Sequence, residues 1–239
     1  MLFDKDGTIV DFQQTWGPAV HDVMQRMAGG RRAIYERLAS VSGFVPGELR
    51  FLPDSLLVAQ PIGVWGPLWA GVLGSEANPA FLTDLDRRLR EATTTHLKPI
   101  GDPSKLLASL AHRGYQLGVF SNDAEIAVRA HMHKLGIEQM FRFIAGYDSG
   151  FGAKPDPGPV IAFAKAVGVA LSRIAVVGDT PLDLAAARAA GAVAVGVLTG
   201  PISAATLSPD ADVILASAED IPTWAAEHRC SASPARRPA

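Results

Sequence analysis

Short apolar runs alternate with segments of helical periodicity from about residue 105 towards the end of the sequence. The runs predicted as buried strands are residues 115–120, 142–146, 173–178, 193–198 and 212–215. Apolar positions at helical spacing predict the helices that separate and flank these strands, at residues 106–112, 124–135, 158–167, 182–190 and 219–227. Such alternation is typical of parallel strands joined by right-handed crossovers. It therefore predicts an α/β fold with an open parallel sheet covered by helices on both faces.

Residues 12–97 follow a different pattern, with apolar positions at helical spacing and no strand-like alternation. The helices predicted in this stretch are residues 15–27, 31–41, 62–73 and 80–93. We therefore expect an all-helical insertion between a first strand at the N-terminus and the rest of the sheet. The predicted division is an α/β core of residues 1–11 and 98–228, a helical domain of residues 12–97, and a disordered tail of residues 229–239.

The composition argues against several classes of protein. The 239 residues are 48% hydrophobic, enough to bury a large core, and a net charge of -2 offers no basic stripe for nucleic acid. No apolar stretch is long enough to span a bilayer, and no charged-then-apolar signal precedes residue 4. The one cysteine, Cys230, cannot form an intrachain disulfide, which fits a reducing compartment. We expect a cytoplasmic protein, monomeric or homodimeric, without membrane or nucleic-acid partners.

Two carboxylates, Asp4 and Asp6, stand two positions apart at the predicted end of the first strand, and Gly7 and Thr8 follow them. Side chains i and i+2 of a strand point to the same side, and a turn at Gly7 would let both acids converge on one substrate atom. One carboxylate can then attack while the other transfers protons. By the same alternation, the side chain of Lys5 is expected to point away from both acids.

Three further polar elements follow apolar runs of the core. Ser121 and Asn122 come directly after one predicted strand, and Lys154 lies in a proline-containing loop just ahead of a predicted helix. Asp179 ends another strand, and Asp183 lies one turn into the following helix, so the two acids can face the same side. Ligands of open parallel sheets bind beyond the carboxyl ends of the strands, so these groups are expected to meet there.

These four elements, in this order, resemble the signature of the haloacid dehalogenase-like hydrolase superfamily, and more narrowly its phosphoglycolate-phosphatase-like branch. The resemblance covers residues 1–11 and about 98–228, and the segments 118–125 and 146–155 also look like bacterial members of that branch. It implies a Rossmann-like core with a helical cap inserted at residues 12–97. The cap would hinge near Asp11 and Leu97 and exclude water when it closes.

The resemblance also implies Mg²⁺-dependent hydrolysis of a small phosphorylated metabolite, such as phosphoglycolate or a sugar phosphate. Asp4 would be the nucleophile and form an aspartyl-phosphate. Asp6 would protonate the leaving alcohol and then take a proton from the attacking water. Ser121, the amide of Asn122 and Lys154 would bind the phosphoryl oxygens.

The same resemblance implies a set of oxygen ligands for the metal. Mg²⁺ is a hard cation that prefers oxygen, and its expected ligands are Asp4, the carbonyl of Asp6, Asp179 and, through water, Asp183. Local structural roles compete with some of these assignments. An acid in the first turn of a helix, such as Asp183, is favoured by the macrodipole without any metal, and Ser121 is a candidate cap for a helix beginning near residue 123.

Other functions share part of this pattern. A phosphomutase of the β-phosphoglucomutase type would use the same catalytic residues, and a non-catalytic phosphate-binding module would need only the binding groups. No lysine lies between Lys5 and Lys98, which argues against an imine mechanism of the phosphonatase kind, and Asp6 argues against a dehalogenase. Aromatic side chains of the insert are candidates for lining the site, although helical aromatics at this spacing more often pack in a core: Trp16, Trp65 and Trp69.

Overall fold

A computed structural model describes residues 1–229 of the chain. Eight strands are present in these residues, and they are β1 (Leu2–Asp4), β2 (Phe44–Val45), β3 (Arg50–Phe51), β4 (Gly118–Phe120), β5 (Phe143–Ala145), β6 (Ala175–Gly178), β7 (Val193–Val197) and β8 (Val213–Leu215). Six of them form one parallel sheet in the order β5-β4-β1-β6-β7-β8. The predicted open parallel α/β sheet is confirmed.

The helices in the described residues are α1 (Phe12–Ala28), α2 (Arg32–Val41), α3 (Ile62–Leu73), α4 (Pro79–Thr95), α5 (Pro103–His112), α6 (Glu125–Lys134), α7 (Gly158–Val167), α8 (Pro181–Ala190), α9 (Ala204–Leu207) and α10 (Ile221–Arg229). Helix α9 has four residues and was not predicted. Elsewhere the predicted helices and strands of the core match the structure to within a few residues at each end. None of the helices up to residue 229 has the length and apolar composition of a membrane-spanning segment.

Strand alternation places apolar side chains on both faces of the sheet. Phe3 joins a hydrophobic cluster with side chains of α5, α6 and α10, whereas its neighbour Leu2 joins a second cluster with side chains of α7 and α8. The sheet is therefore buried on both sides. The chain runs from β1 to β4 and β5 on one side and then returns to β6 on the other, so the carboxyl end of β1 lies at a topological switch point.

Helices α1 to α4 pack around a hydrophobic cluster of their own, which includes the fully buried ring of Trp69. The stretch is not helical throughout, because β2 and β3 form a two-stranded antiparallel ribbon between α2 and α3. Phe44 and Phe51 of this ribbon are buried, with their ring centroids 5.1 Å apart. The all-helical prediction missed the ribbon because strands of two residues are too short to show alternation.

The predicted disordered tail begins at Arg229, which is the last residue of α10. Residues 230–239, including Cys230, lie outside the described residues.

Candidate active site

The loop after β1 turns sharply at Gly7, which has a φ of 77°. A Cβ atom at this position would lie 2.2 Å from Oδ2 of Asp179, so glycine is needed for both the backbone conformation and the close approach. The amide of Gly7 donates to the carbonyl of Val10 at 2.7 Å. The strands β1 and β6 are paired in the sheet, and the turn after β1 packs directly against the carboxylate of Asp179 after β6.

Asp4, Asp179 and Asp183 form a buried carboxylate cluster, in which one oxygen of each lies within 4.8 Å of the others. Asp183 is the third residue of α8, where its Oδ2 accepts hydrogen bonds from the backbone amide of Thr180 at 3.0 Å and from its hydroxyl at 2.7 Å. Oδ1 of Asp179 is buried and has no hydrogen-bond partner within residues 1–229. Asp183 therefore has both the favourable position of an acid in the first turn of a helix and a place in the carboxylate cluster.

Lys154 is the cation of this cluster. Its ammonium donates to Oδ1 of Asp4 and, at 2.7 Å, to Oδ1 of Asp183. The side chain of Asn122 holds the lysine backbone from both sides, since Oδ1 accepts from the amide of Lys154 at 2.8 Å and Nδ2 donates to its carbonyl at 3.1 Å. Nδ2 also donates to the carbonyl of Ala59 in the insert at 2.9 Å.

Ser121 lies at the carboxyl end of β4, where its hydroxyl accepts a hydrogen bond from the amide of Asp123 at 3.1 Å. Helix α6 begins at Glu125 and its N-cap is Ala124, so Ser121 is not the cap of that helix. The serine is buried and borders the same cavity as Asp4 and Lys154.

Burial raises the pKa of Asp4 to about 7, because the opposing charge of Lys154 is offset by the nearby carboxylates of Asp183 and Asp6. Burial and the neighbouring acids also raise the pKa of Asp179 well above its ordinary value. Although burial disfavours its ammonium, Asp183 and Asp4 outweigh that effect and raise the pKa of Lys154, which stays charged. The site is therefore short of positive charge.

The donor set of this cluster fits a divalent cation. Three buried carboxylates face a single lysine, and hard cations such as Mg²⁺ and Ca²⁺ are bound by carboxylate oxygens. The carboxylate of Asp179 is also enclosed without a clash only because Gly7 and Gly200 lack side chains, since a Cβ on Gly200 would lie 1.8 Å from Oδ2 of Asp179. The unpartnered Oδ1 of Asp179 is a free ligand atom in this enclosure.

Lys5 is placed differently from expectation. Lys5 does not point away from the acids, because its ammonium lies 2.7 Å from Oδ2 of Asp6. Strand β1 ends at Asp4, and the amides of Ile9 and Val10 both donate to the carbonyl of Lys5 in the following turn. The alternation rule therefore no longer applies at residue 5. The carboxylate of Asp6 lies outside the three-acid cluster.

The site opens into a cavity of about 50 Å³ between the core and helices α1, α3 and α4. The insert contributes mainly apolar walls, among them Trp16, Trp65 and Leu89, together with one carboxylate, Asp86. Trp69, by contrast, is fully buried and donates to the hydroxyl of Ser42 at 2.8 Å. Two of the three candidate tryptophans therefore line the cavity, and the third is part of the core of the insert.

The order of these groups along the chain has a counterpart among known proteins. A family model described as haloacid dehalogenase-like hydrolase matches residues 1–197. The chain belongs to the haloacid dehalogenase-like hydrolase family. The resemblance predicted from residues 4–8, 121, 154 and 179–183 is thereby confirmed.

Relatives of this hydrolase include proteins named phosphoglycolate phosphatase. One from Rhodospirillum rubrum is 41% identical over 86 residues, an alignment that covers 36% of each chain. One from Aquifex aeolicus is 24% identical over 210 residues, which cover 88% of this chain and 89% of the relative. The alignment with the first relative thus spans about a third of that protein. These names support the predicted enzyme class, a phosphoric monoester hydrolase.

A solved structure from Haemophilus somnus, described as a predicted phosphoglycolate phosphatase, superimposes on this hydrolase with a TM-score of 0.70. The two chains are 19% identical, and the match covers 94% of this chain and 96% of the other. At that identity the likeness establishes the fold and leaves the substrate open.

Several neighbours of the site in this hydrolase were not singled out from the sequence. Gly200 adjoins Asp179, and the hydroxyl of Thr199 donates to the carbonyl of Gly7 at 2.6 Å. Both Thr199 and Gly200 lie in a loop that follows Asp179 by about 20 positions in the sequence. The Thr-Gly pair directly after a predicted strand was the available sign, but such glycines are common in turns. The contacts of Lys5 had no local sign at all.

Proposed function

We propose that the chain is a Mg²⁺-dependent phosphatase that hydrolyses a small phosphate monoester through an aspartyl-phosphate on Asp4. The observation that carries the proposal is the position of the Asp4 carboxylate. It lies at the switch point of the sheet, beside a charged lysine and two further buried acids, and it borders a small cavity. This is the arrangement that attack on an anionic phosphate requires.

In the first step, a carboxylate oxygen of Asp4 attacks phosphorus and the bond from phosphorus to the alcohol oxygen breaks. Asp6 gives its proton to that oxygen, so the alcohol leaves neutral. In the second step, Asp6 takes a proton from a water molecule, whose oxygen attacks phosphorus and releases the Asp4 carboxylate with inorganic phosphate. Both acids border the cavity, which supports this division of work.

Ser121, the backbone amide of Asn122 and Lys154 would bind the phosphoryl oxygens. The side-chain amide of Asn122 has a different task, since it already bonds the backbone of Lys154. It would keep the lysine in position, which matters because a small displacement of a binding group lowers the reaction rate strongly.

Asp4, the Asp6 carbonyl, Asp179 and Asp183 would hold Mg²⁺. Bound there, the ion would supply the positive charge that lets an anionic nucleophile approach an anionic phosphate. The lone Oδ1 of Asp179 and the excess of carboxylates over lysine support this assignment.

Residues 12–97 would act as the cap over this site. The two chain crossings lie side by side, since the amide of Asp11 donates to the carbonyl of Lys98 at 2.8 Å and the amide of Ile100 donates to the carbonyl of Ile9 at 2.9 Å. A pair of adjacent crossings is a suitable hinge. The cap would admit substrate when open and exclude water when closed.

The lining of the cavity bears on the choice of substrate. Within residues 1–229, Lys154 is the only lysine or arginine side chain that lines it, and the insert contributes mainly apolar side chains together with Gln60 and Asp86. A carboxylate on the leaving group, as in phosphoglycolate, would meet no second cation there. The lining therefore favours esters of small neutral alcohols, such as sugar phosphates.

The proposal is tested by phosphate release from a panel of small esters, including phosphoglycolate and sugar phosphates, with Mg²⁺ or with a chelator. We expect Mg²⁺-dependent release that Asp4→Asn abolishes, a loss of at least about 10³-fold. Release that persists in Asp4→Asn or in chelator would contradict the mechanism.

A second measurement addresses the aspartyl-phosphate and the mutase alternative. With an added acceptor alcohol, a common intermediate predicts the same ratio of transferred to hydrolysed phosphate for every leaving group. A ratio that changes with the leaving group would argue against the intermediate. Transfer to a sugar hydroxyl that exceeds hydrolysis would indicate a mutase.

A further inference from the structure

Lys5 is a fully buried lysine, with 0% of its side chain exposed, and it stands between the two acids of the first motif. Burying an ammonium is strongly unfavourable unless every donor finds an acceptor. Its three acceptors are Oδ2 of Asp6 at 2.7 Å, Oδ2 of Asp123 at 3.1 Å and Nδ1 of His131 at 3.1 Å. An ammonium has three donors, so the set is complete.

The second oxygen of Asp6 is held from the insert. The indole Nε1 of Trp16, on α1, donates to Oδ1 of Asp6 at 3.0 Å. The carboxylate is thus fixed at one oxygen by the core lysine and at the other by a cap tryptophan. Two contacts at opposite oxygens define the orientation of a carboxylate, whereas one contact leaves it free to rotate.

A chain of hydrogen bonds also continues from Lys5 into the insert. Since Lys5 donates to Nδ1 of His131, the ring proton lies on Nε2, which donates to the hydroxyl of Thr93 at 3.0 Å. That hydroxyl donates in turn to the carbonyl of Leu89 at 2.8 Å. Thr93 and Leu89 belong to α4, and Leu89 lines the cavity. Burial and the charge of Lys5 lower the pKa of His131, so its ring is neutral, as this arrangement needs.

We propose that Lys5 is a positioning residue that aims the Asp6 carboxylate at the leaving-group oxygen and ties this orientation to the closed position of the insert. The inference rests on the proposed role of Asp6 as general acid. Lys5 does not touch the substrate, because it is enclosed by Asp6, Asp123 and His131 and does not line the cavity.

A comparison of two substrates whose leaving groups differ in their need for a proton distinguishes this role from a merely structural one. An alkyl phosphate releases a strongly basic alkoxide and depends on general acid catalysis, whereas acetyl phosphate releases acetate and needs no proton. Both substrates carry a small leaving group. Because Asp6 also acts as the base in the second step, the readout is kcat/KM, which covers the steps up to release of the leaving group and not the later hydrolysis of the aspartyl-phosphate. We expect Lys5→Met to lower kcat/KM for glycerol phosphate by about 10²-fold, within the usual range for general acid catalysis, and kcat/KM for acetyl phosphate by less than about 3-fold. Lys105→Met, the same change at an exposed position of α5, should alter neither.

Asp6→Asn supplies the control for the proposed function. It should produce the same selective loss, and adding Lys5→Met to it should cause little further loss, because the two residues act through one carboxylate. If Asp6→Asn shows no leaving-group selectivity, the proposed role of Asp6 fails. If Asp6→Asn is selective but Lys5→Met lowers both substrates equally, or neither, the inference about Lys5 is overturned.

Thr93→Val keeps the test decisive if Lys5→Met does not fold, as judged by circular dichroism. This variant removes the link between His131 and α4 without touching a charge. We expect a smaller loss with the same selectivity, about 3- to 10-fold for glycerol phosphate and none for acetyl phosphate. An equal loss of kcat/KM for both substrates in Thr93→Val, or no loss for either, with Lys5→Met unfolded, would overturn the inference.

Discussion

Asp179 occupies a space that exists only because its neighbours are glycines. A Cβ on Gly7 or Gly200 would lie 2.2 Å or 1.8 Å from its carboxylate. Gly7 also has a positive φ, which side chains other than glycine rarely adopt. Gly7 therefore permits both the left-handed backbone conformation of the turn and the close approach of the Asp179 carboxylate.

We predict that Gly7→Ala weakens the metal site as well as the fold. The left-handed backbone costs about 1–2 kcal/mol for alanine, and the Asp179 carboxylate must also shift. Thermal unfolding with and without Mg²⁺ should show a lower Tm and a smaller increase on adding Mg²⁺.

Gly29→Ala is the matched control for that prediction. Gly29 has a φ of 58°, but no atom of residues 1–229 lies within 4 Å of a Cβ placed there. The Tm of the Gly29→Ala variant should fall only by the cost of placing alanine in the left-handed backbone conformation, and its increase on adding Mg²⁺ should equal that of the wild type. Equal responses to Mg²⁺ in the two variants would show that the contact with Asp179 does not matter.

Two loops and a helix, rather than single residues, position the lysine of the site. The loop after β4 carries Asn122, whose side chain bonds the backbone of Lys154 in the loop before α7. The N-terminus of α8 carries Asp183, which caps its own helix through Thr180 and accepts from the lysine ammonium. Capping and ion pairing therefore use different oxygens of one carboxylate.

We predict that Asn122→Ala lowers activity more than its effect on stability would suggest. The change removes three hydrogen bonds, which should lower the free energy of unfolding by about 1–2 kcal/mol. It also frees the loop that carries Lys154, which should lower kcat/KM by about 10- to 100-fold. Steady-state kinetics and chemical denaturation measure the two effects.

Asn78→Ala is the comparison for this change. Asn78 caps α4 by accepting from the amide of Phe81 at 2.9 Å, so its loss costs about 1 kcal/mol without reaching the lysine. Full activity in Asn78→Ala and reduced activity in Asn122→Ala is the expected result. Parallel losses would mean that global stability, and not the position of Lys154, controls the rate.

Charge balance at the site makes the stability of the whole molecule depend on pH and metal together. The pKa of Asp4 is about 7 in the metal-free protein, compared with an ordinary value of 3.8. Between these values the folded protein keeps a proton that the unfolded chain releases. The metal-free protein should therefore lose stability as pH rises from about 4 to 7.

We predict that Mg²⁺ counteracts this trend. Binding requires the ionised carboxylate, so the ion should add more stability at pH 8 than at pH 5. At about 100 times its Kd the ion should raise Tm by about 5–10 °C at pH 8. Melting curves at both pH values, with Mg²⁺ or a chelator, measure this. An equal increase at both pH values, or the same increase in Asp179→Asn, would contradict the assignment.

Local patterns in the sequence determined the parallel sheet, most of its helices and the identity of the groups at the strand ends. Periodicity and strand ends are properties of neighbouring residues, and parallel strands bring their carboxyl ends together whatever the connections between them. Asp4, Ser121 and Asp179 could therefore be placed at one edge of the sheet from the sequence alone.

The tertiary structure alone decided the partners of these groups. Lys5 was expected to point away from the acids, but β1 ends at Asp4 and the turn that follows brings the lysine onto Asp6, while α6 supplies its acceptor His131. The contact of Trp16 with Asp6 depends on how the insert packs on the core. Such contacts join residues far apart in the chain, so no local pattern encodes them. Their energies depend on burial, which exists only after folding.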